Sequence, residues 1–418
     1  MSNTLYRLGT ASQYDSALRN ITQRQNDLAN LQDNLTSGKR VVRASDDPVA
    51  AAQAERALTR LSRTEVDKRA LDMQRNSMAL AESALGEAGS AMQDFRQLVV
   101  NAGNGAYTQA ERDALVRQLT GLKDQIMGHA NRQDSNGLPL FQSLGSAQEP
   151  YSGLASQVGF AGLSGQATGS NNAIANVLDG DAAWMRVPKG NGVFTVDAGA
   201  ANSGKAWSTV GQVTNPSAFS ASPTNTYTVT FSVSASGDIT YDVPDATPPL
   251  VGQPYTPPTA ASSSPSTIAF DGISIGVAGV PANGDTFTIN RNVPGEYTSV
   301  FQVLQDTINA ISKGGNADGS TASGTLTQGI NKGLAEIDAA MNRLQASRGL
   351  AGDLLNRADS INGELDTRAI QLEADRSRAE DLDMIQGYSD FQNQQVGYQA
   401  ALKSYSMVQK LSLFNYIA

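Results

Sequence analysis

The sequence contains no cysteine and one histidine, His129. Without thiols there is no disulfide, no thiolate zinc site and no cysteine nucleophile, and a single imidazole excludes a two-histidine metal site. Aromatic residues make up only 6% of the chain, lean for one large core built on such side chains. A cationic excess is missing too: 31 Lys and Arg stand against 40 Asp and Glu, a net charge of −9. A chain of that sign is a poor nucleic-acid binder, since such binding draws its affinity from cations that displace counterions. No run approaches the roughly 18 apolar residues of a membrane span. The first ten residues also lack the apolar core of a secretory signal. Taken alone, these absences point to a cytoplasmic protein with neither a nucleic acid nor a membrane as partner. The lack of cysteine also suits a chain that crosses compartments.

Proline is scarce at both ends. Twelve of the 15 prolines lie in 151–325, none follows Pro294, and the same stretch holds only 16 of the 71 charged residues. Length alone allows roughly two to three domains. The composition suggests how they are arranged: a Pro/Gly/Ser/Thr-rich middle between two Pro-poor arms rich in Gln, Ala, Arg and Glu.

The arms read as helices. Tyr14, Ala17, Leu18, Ile21, Leu28, Leu31 and Leu35 form an apolar stripe at helical spacing. Gly38 stops that helix, and Asp47-Pro48 starts the next, with Asp47 free to cap and Pro48 tolerated in the first turn. The second helix reaches about Asn101. From Met78 to Val99 its apolar residues alternate three and four apart, the spacing of a seam against another long helix. Thr108 and Glu111 form a capping box for a third helix, and Asn136-Gly137 reads as a hairpin turn. In the C-terminal arm, Ile330 to Leu372 keep a seven-residue register, followed by a stripe of Met384, Tyr388, Phe391, Tyr398, Leu402 and Tyr405. Ninety residues of helix would run roughly 135 Å, so the arms are expected to build a rod. Gly349, Gly352, Gly363, Gly387 and Gly397 predict breaks or bends along it.

The middle reads as β. Tyr227 to Val233 alternates with period two and is followed by a turn and Ile239 to Val243, a hairpin pattern. The segments 268–275 and 285–289 resemble a second pair. Residues 248–265 read as an irregular low-complexity loop, and 313–324 as a flexible connector.

No catalytic constellation emerges. His129 lies on the apolar face of its helix and reads as a packed or rim side chain. Gly103-Asn104-Gly105 and Gly190-Asn191-Gly192 lack the lysine of a phosphate loop or the rest of a dinucleotide fingerprint and read as turns. Asp179-Gly180-Asp181 lacks the later glutamate of a calcium loop and reads as a solvated turn. No enzyme activity, cofactor or metal is expected. The terminal stripes are different from the seam at 78–99. Each runs to a chain end and finds no third long helix in the sequence to bury it, which makes the two ends candidates for binding copies of the same chain.

More specific motifs frame these stripes. Leu31-Gln-Asp-Asn-Leu-Thr-Ser-Gly-Lys-Arg, followed by Ser45-Asp-Asp-Pro, resembles the N-terminal signature of the bacterial flagellin superfamily. Met92 to Val100 resembles the inner-rod helix of the same family. Pro48 and the ending Leu411-Ser-Leu-Phe-Asn-Tyr-Ile-Ala are more similar to the branch that joins hook to filament than to filament flagellin. The resemblance covers about 1–145 and 325–418.

That resemblance implies an α+β fold: a long antiparallel helical bundle or coiled-coil rod from both chain ends, with an inserted, mostly β outer domain. Residues 1–45 with 380–418 would form the terminal assembly domain, 46–150 with 300–379 the helical rod, and 151–299 the outer domain. The assembly residues would be Tyr14, Leu18, Ile21, Leu28, Leu31, Leu35, Met384, Tyr388, Phe391, Tyr398, Leu402, Tyr405, Leu413, Phe414 and Tyr416. The implied role is a junction layer of the flagellum, exported without a cleaved signal and therefore extracellular, which displaces the cytoplasmic expectation. The implied partners are further copies of the chain in a ring layer, hook-associated protein 1, flagellin, and an export chaperone on the C-terminal helix. Two other readings of the residues stay open: filament flagellin, and an adhesin with a glycan-binding β domain on a helical stalk.

Overall fold

The structure is a computed structural model that describes residues 10–104, 107–154, 157–258, 264–313 and 324–417. The chain divides into two compact units, one formed by Met1–Arg69 with Asn362–Ala418 and the other by Ala70–Ile361.

Three helices come first: α1 (Thr10–Ser37), α2 (Pro48–Ala102) and α3 (Gln109–Ala130). Their ends lie where the sequence places them, for local reasons. Gly38 takes a φ of +70°, a left-handed conformation that glycine adopts freely, and so closes α1. Asp47 Oδ1 accepts from the Ala50 N–H at 3.0 Å and opens α2. That bond, and then the Arg40 guanidinium, hold its carboxyl below the usual range. Thr108 and Glu111 make both bonds of the capping box before α3. The Asn136-Gly137 turn forms as well, with Asp134 accepting from the Asn136 and Leu138 N–H groups and an antiparallel bridge between Gln133 and Pro139.

In the larger unit, the α2 seam is buried from Leu71 through Met78, Leu85, Met92 and Phe95 to Val99. Its partner is α6 (Gly324–Glu380). The two run antiparallel, as the ion pairs Arg75–Asp359, Glu82–Arg348 and Arg96–Asp338 show at 2.8, 2.6 and 2.7 Å. These pairs are exposed or half-buried and individually contribute little; the apolar seam carries the stability.

His129, near the end of α3, packs at the rim of this layer with Nδ1 3.3 Å from Glu87. Burial pushes its pKa below the ordinary 6.5, against the opposing pull of Glu87. A neutral ring therefore contributes stability above pH 6.5 that is lost as pH falls through the lower folded value. Because this is the sole imidazole, the titration is unambiguous. Its Cε1–H resonance in the folded protein is expected to titrate with a midpoint below 6.5. A midpoint above that value would mean that Glu87 outweighs burial.

A small hairpin, β1 (Tyr151–Leu154) with β2 (Gln157–Phe160), leads into a π-helix at Asp181–Met185. Here Trp184 stacks on Phe301 at 5.8 Å, with Phe141 and Tyr151 completing a buried aromatic cluster. The expectation of a solvated turn at 179–181 is corrected. Asp179 accepts from the Ser143 hydroxyl and the Ala182 N–H, Gly180 is buried, and Asp181 pairs with Arg186 at 2.6 Å. The carboxylates cap and brace the π-helix.

Past a neck where Val187 and Thr298 exchange two backbone hydrogen bonds of 2.9 Å, the chain becomes β. Its elements are β3 (Phe194–Ala198), β4 (Trp207–Ser208), β5 (Gln212–Val213), a short α4 (Pro216–Ala221), β6 (Thr226–Val233), β7 (Ile239–Val243), β8 (Leu250–Pro254), β9 (Ser266–Phe270), β10 (Ile273–Ala278) and β11 (Thr286–Arg291). One antiparallel sheet has the order β3-β11-β6-β7-β8; in the other, β10 pairs with β9, β4 and β5. Tyr227, Val229 and Phe231 of β6 point inward, with Phe287 and Ile289 of β11 and Ile275 of β10 in the same core.

The β6–β7 hairpin is as the alternation predicts. Two expectations are corrected. Segment 268–275 is itself a hairpin, turning at Asp271-Gly272, and β11 pairs with β3 and β6 rather than with it. Residues 250–254, expected to be irregular, form edge strand β8 on β7. Gly252, at φ +60°, donates its N–H to Asp242, and an edge position tolerates the missing donor of Pro254.

Helix α5 (Val300–Lys313) then packs on α3, followed by α6 and α7 (Met384–Ile417). The connector expected at 313–324 lies almost wholly outside the described residues. The predicted glycine breaks are corrected: α6 runs through Gly349, Gly352 and Gly363, and α7 through Gly387 and Gly397. Each glycine costs about 1 kcal/mol of helix propensity, less than the packing of the buried faces returns. The helices part instead at 381–383, where no glycine stands.

Candidate assembly interface

In the smaller unit α1 and α7 lie antiparallel. The Tyr14 and Tyr405 rings are 5.4 Å apart, Arg24 Nη1 donates to Gln394 Oε1 at 3.4 Å, and Leu35 approaches Gly387. Both glycines of α7 have close neighbours. A Cβ at Gly397 would sit 2.6 Å from Arg24 Nη1, and one at Gly387 would sit 2.8 Å from Leu382 Cδ2. Neither glycine breaks the helix.

The links at the base of the pair are bonded to each other. Glu380 O accepts from the Arg40 and Val41 N–H groups, Gly38 O accepts from the Leu382 N–H, and the backbones of Lys39 and Asp381 form an antiparallel β-bridge. The Glu380 side chain, only 9% exposed, accepts from both Lys39 and Arg376. Asp383 then caps α7 through the Ile385 and Gln386 N–H groups. Glu380→Ala leaves two cations without their shared carboxylate and is expected to cost on the order of 2 kcal/mol. Hydrogen exchange is expected to accelerate at 38–47 and 380–387. Unchanged protection there would show that the backbone bonds alone hold the junction.

Two helices alone cannot cover these apolar residues. Tyr14, Leu18, Met384, Tyr388 and Leu402 are exposed, Tyr388 to 58%. Ile21, Leu28, Leu31, Leu35, Phe391, Tyr398 and Tyr405 are half-buried. Among the described side chains none of α1 is buried, and in α7 only Gly387 is. The side chains of Leu413, Phe414 and Tyr416 lie outside the described residues. The stripes thus converge on one helix pair, which leaves a large apolar surface in water. Spacing did not flag Ile385, Val396 and Met407, exposed to 87, 66 and 55%. They fall off the heptad line, and their only signal was the excess of apolar residues around α7. A helix that is apolar on several sides is suited to more than one neighbour.

No helix among the described residues is long and apolar enough to cross a membrane, and no group of three or more His, Asp or Glu among them could hold a metal.

Residues 9–145 match the bacterial flagellin N-terminal helical region, and 334–417 match the bacterial flagellin C-terminal helical region. Together they cover more than half of the 418 residues and contain all fifteen assembly candidates. Flagellar hook-associated protein 3 of Salmonella typhimurium is 32% identical over 149 residues, 35% of this chain and 46% of that protein. The chain thus spans about half the length of the curated relatives it matches. The crystal structure of flagellar hook associated protein-3 from Legionella pneumophila superposes with a TM-score of 0.65 at 26% identity, over 77% of this chain and 99% of that one. FlgL of Xanthomonas campestris gives 0.63 at 21% identity over 78% and 99%, a likeness of fold.

Proposed function

This chain belongs to the bacterial flagellin family, and on that premise we propose that it is a structural subunit of the flagellum, forming the layer that joins hook to filament. The observation that carries the proposal is the α1/α7 pair, whose apolar stripes face each other yet stay exposed or half-buried. Such a surface is stable once copies surround it, so part of its ordering is coupled to assembly. The fifteen terminal side chains are the assembly surface. Further copies lie beside it in the layer, hook-associated protein 1 on the hook side and flagellin on the filament side. An export chaperone holds the apolar C-terminal arm before assembly. The work is mechanical rather than catalytic, and it is done outside the cell after export without a cleaved signal. The terminal helices, the helical rod and the β part divide the labour: assembly, spacing and outward display.

Electron microscopy of gold-labelled, tagged protein on flagellated cells tests this. Label in one narrow band at the hook–filament junction is expected. Label spread along the whole filament would make the chain a filament flagellin instead.

A further inference from the structure

Arginines on the helix pair of the smaller unit fall into two groups. Arg376 is held by Glu373 and Glu380. The guanidinium groups of Arg56 and Arg60, one turn apart on α2, make no hydrogen bond or ion pair among the described residues. They line a groove of about 350 Å³ between α2 and α6. Its floor includes Ala57 and Leu372, both buried. Its far wall carries Arg378, paired with Asp375 at 3.0 Å, and both of these are exposed. Arg56 and Arg60 offer ten N–H donors between them and can accept carboxylates bidentately. Two guanidinium forks one helical turn apart match carboxylates at the same spacing on an acidic helix face, a span that a small diffusing anion does not bridge.

The charge distribution indicates where such a face lies. Positions 1–69 and 362–418 hold 16 basic and 16 acidic residues, a balance of zero. Positions 70–361 hold 15 basic and 24 acidic residues, the entire negative excess of the chain. Several of those carboxylates, Asp72, Asp94 and Asp353 among them, are exposed and make no ion pair among the described residues.

We infer that the Arg56/Arg60 groove docks a second copy of this chain through the acidic surface of that copy's 70–361 unit. This rests on the reading of the chain as a self-assembling subunit and names the contact that follows from it. Single exposed ion pairs are weak, but a layer repeats the contact in every copy, and linked weak contacts multiply.

The test uses the purified full chain, with a photo-reactive phenylalanine analogue at Gln53 on the groove rim, as a mixture of isotopically heavy and light copies. Illumination followed by mass spectrometry is expected to give heavy–light cross-links that land in 70–361. They should fall about tenfold in the Arg56→Glu/Arg60→Glu variant. They should also fall in about 1 M salt, where screening shortens to about 3 Å. Arg56→Lys/Arg60→Lys, which keeps the charge but loses the fork, should retain an intermediate yield. Circular dichroism of each variant guards against a folding defect. Heavy–light cross-links confined to 1–69 or 362–418, or none up to the solubility limit, would overturn the groove assignment even if the tagged protein sits at the junction. Heavy–light links into 70–361 from a protein located elsewhere would leave the groove standing and sink only the junction reading.

Discussion

Deleting residues 1–40 or 385–418 is expected to leave a soluble, partly helical monomer that restores no motility to a strain lacking the protein. The larger unit has its own core: the α2 seam, the aromatic cluster around Trp184 and the two-sheet core are all buried within 70–361. It should survive either truncation. Helix α1 packs chiefly on α7, so losing one strips the other of its main contact. An isolated helix of 28 or 34 residues with only half-buried side chains is marginal in water. The surviving arm should therefore lose helicity as well. Far-UV circular dichroism would report a helix loss larger than the deleted segment, and a soft-agar assay would report the motility defect. A truncated protein that swims at the wild-type rate would remove the terminal pair from the assembly surface.

The second large effect separates two ways of excising the outer part. Replacing 189–297 by a short Gly/Ser linker cuts above the Val187–Thr298 neck and leaves the aromatic cluster whole. Gln328, Lys332 and Glu336 lose Ser208, Asp197 and Gly190 as partners, but water reaches them once the β part is gone. Replacing 151–299 also takes Tyr151 and Trp184, both fully buried against Phe301. Removing a buried aromatic side chain costs about 3–5 kcal/mol, and two such losses approach the roughly 5–15 kcal/mol that hold a domain together. The first variant is expected to melt cooperatively and to appear in the culture medium at near-normal amounts. The second is expected to melt early or be degraded before export. Matching melting curves for the two variants would mean that the aromatic cluster contributes little, and that the neck does not mark a separable part.

Both cuts show what the sequence could reveal. Local signals were legible: Gly38 as a helix stop, Asp47-Pro48 as a start, the 108–111 capping box, the 78–99 seam and the 227–243 hairpin each depend on neighbours a few residues away. Features set by distant partners were not. The break between α6 and α7 comes from backbone bonds between 380–382 and 38–41, some 340 positions apart in the chain. Strand β11 alternates clearly, yet nothing local says that it pairs with β3 and β6 rather than with the nearby 268–275 hairpin. The neck at Val187 and Thr298 did leave a compositional mark that the boundary at 151 overlooked: all twelve prolines of the 151–325 stretch lie from Pro188 to Pro294. At the candidate interface, the stripes identified the residues that share the α1/α7 pair. The off-stripe Ile385 and Val396 needed the helix in three dimensions, and the Arg56/Arg60 groove exists only where two helix faces meet.

The central claim is that α1 and α7 are finished by neighbouring copies. Hydrogen exchange measured on Thr10–Ser37 and Met384–Ile417, in the free protein and in isolated hook–filament junctions, tests it most directly. Amides of both helices should exchange quickly in the free chain, within the low-stability range of local opening. They should become strongly protected in the junction, while the seam at 78–99 is equally protected in both. Equal protection of the terminal helices in the two states would contradict the account.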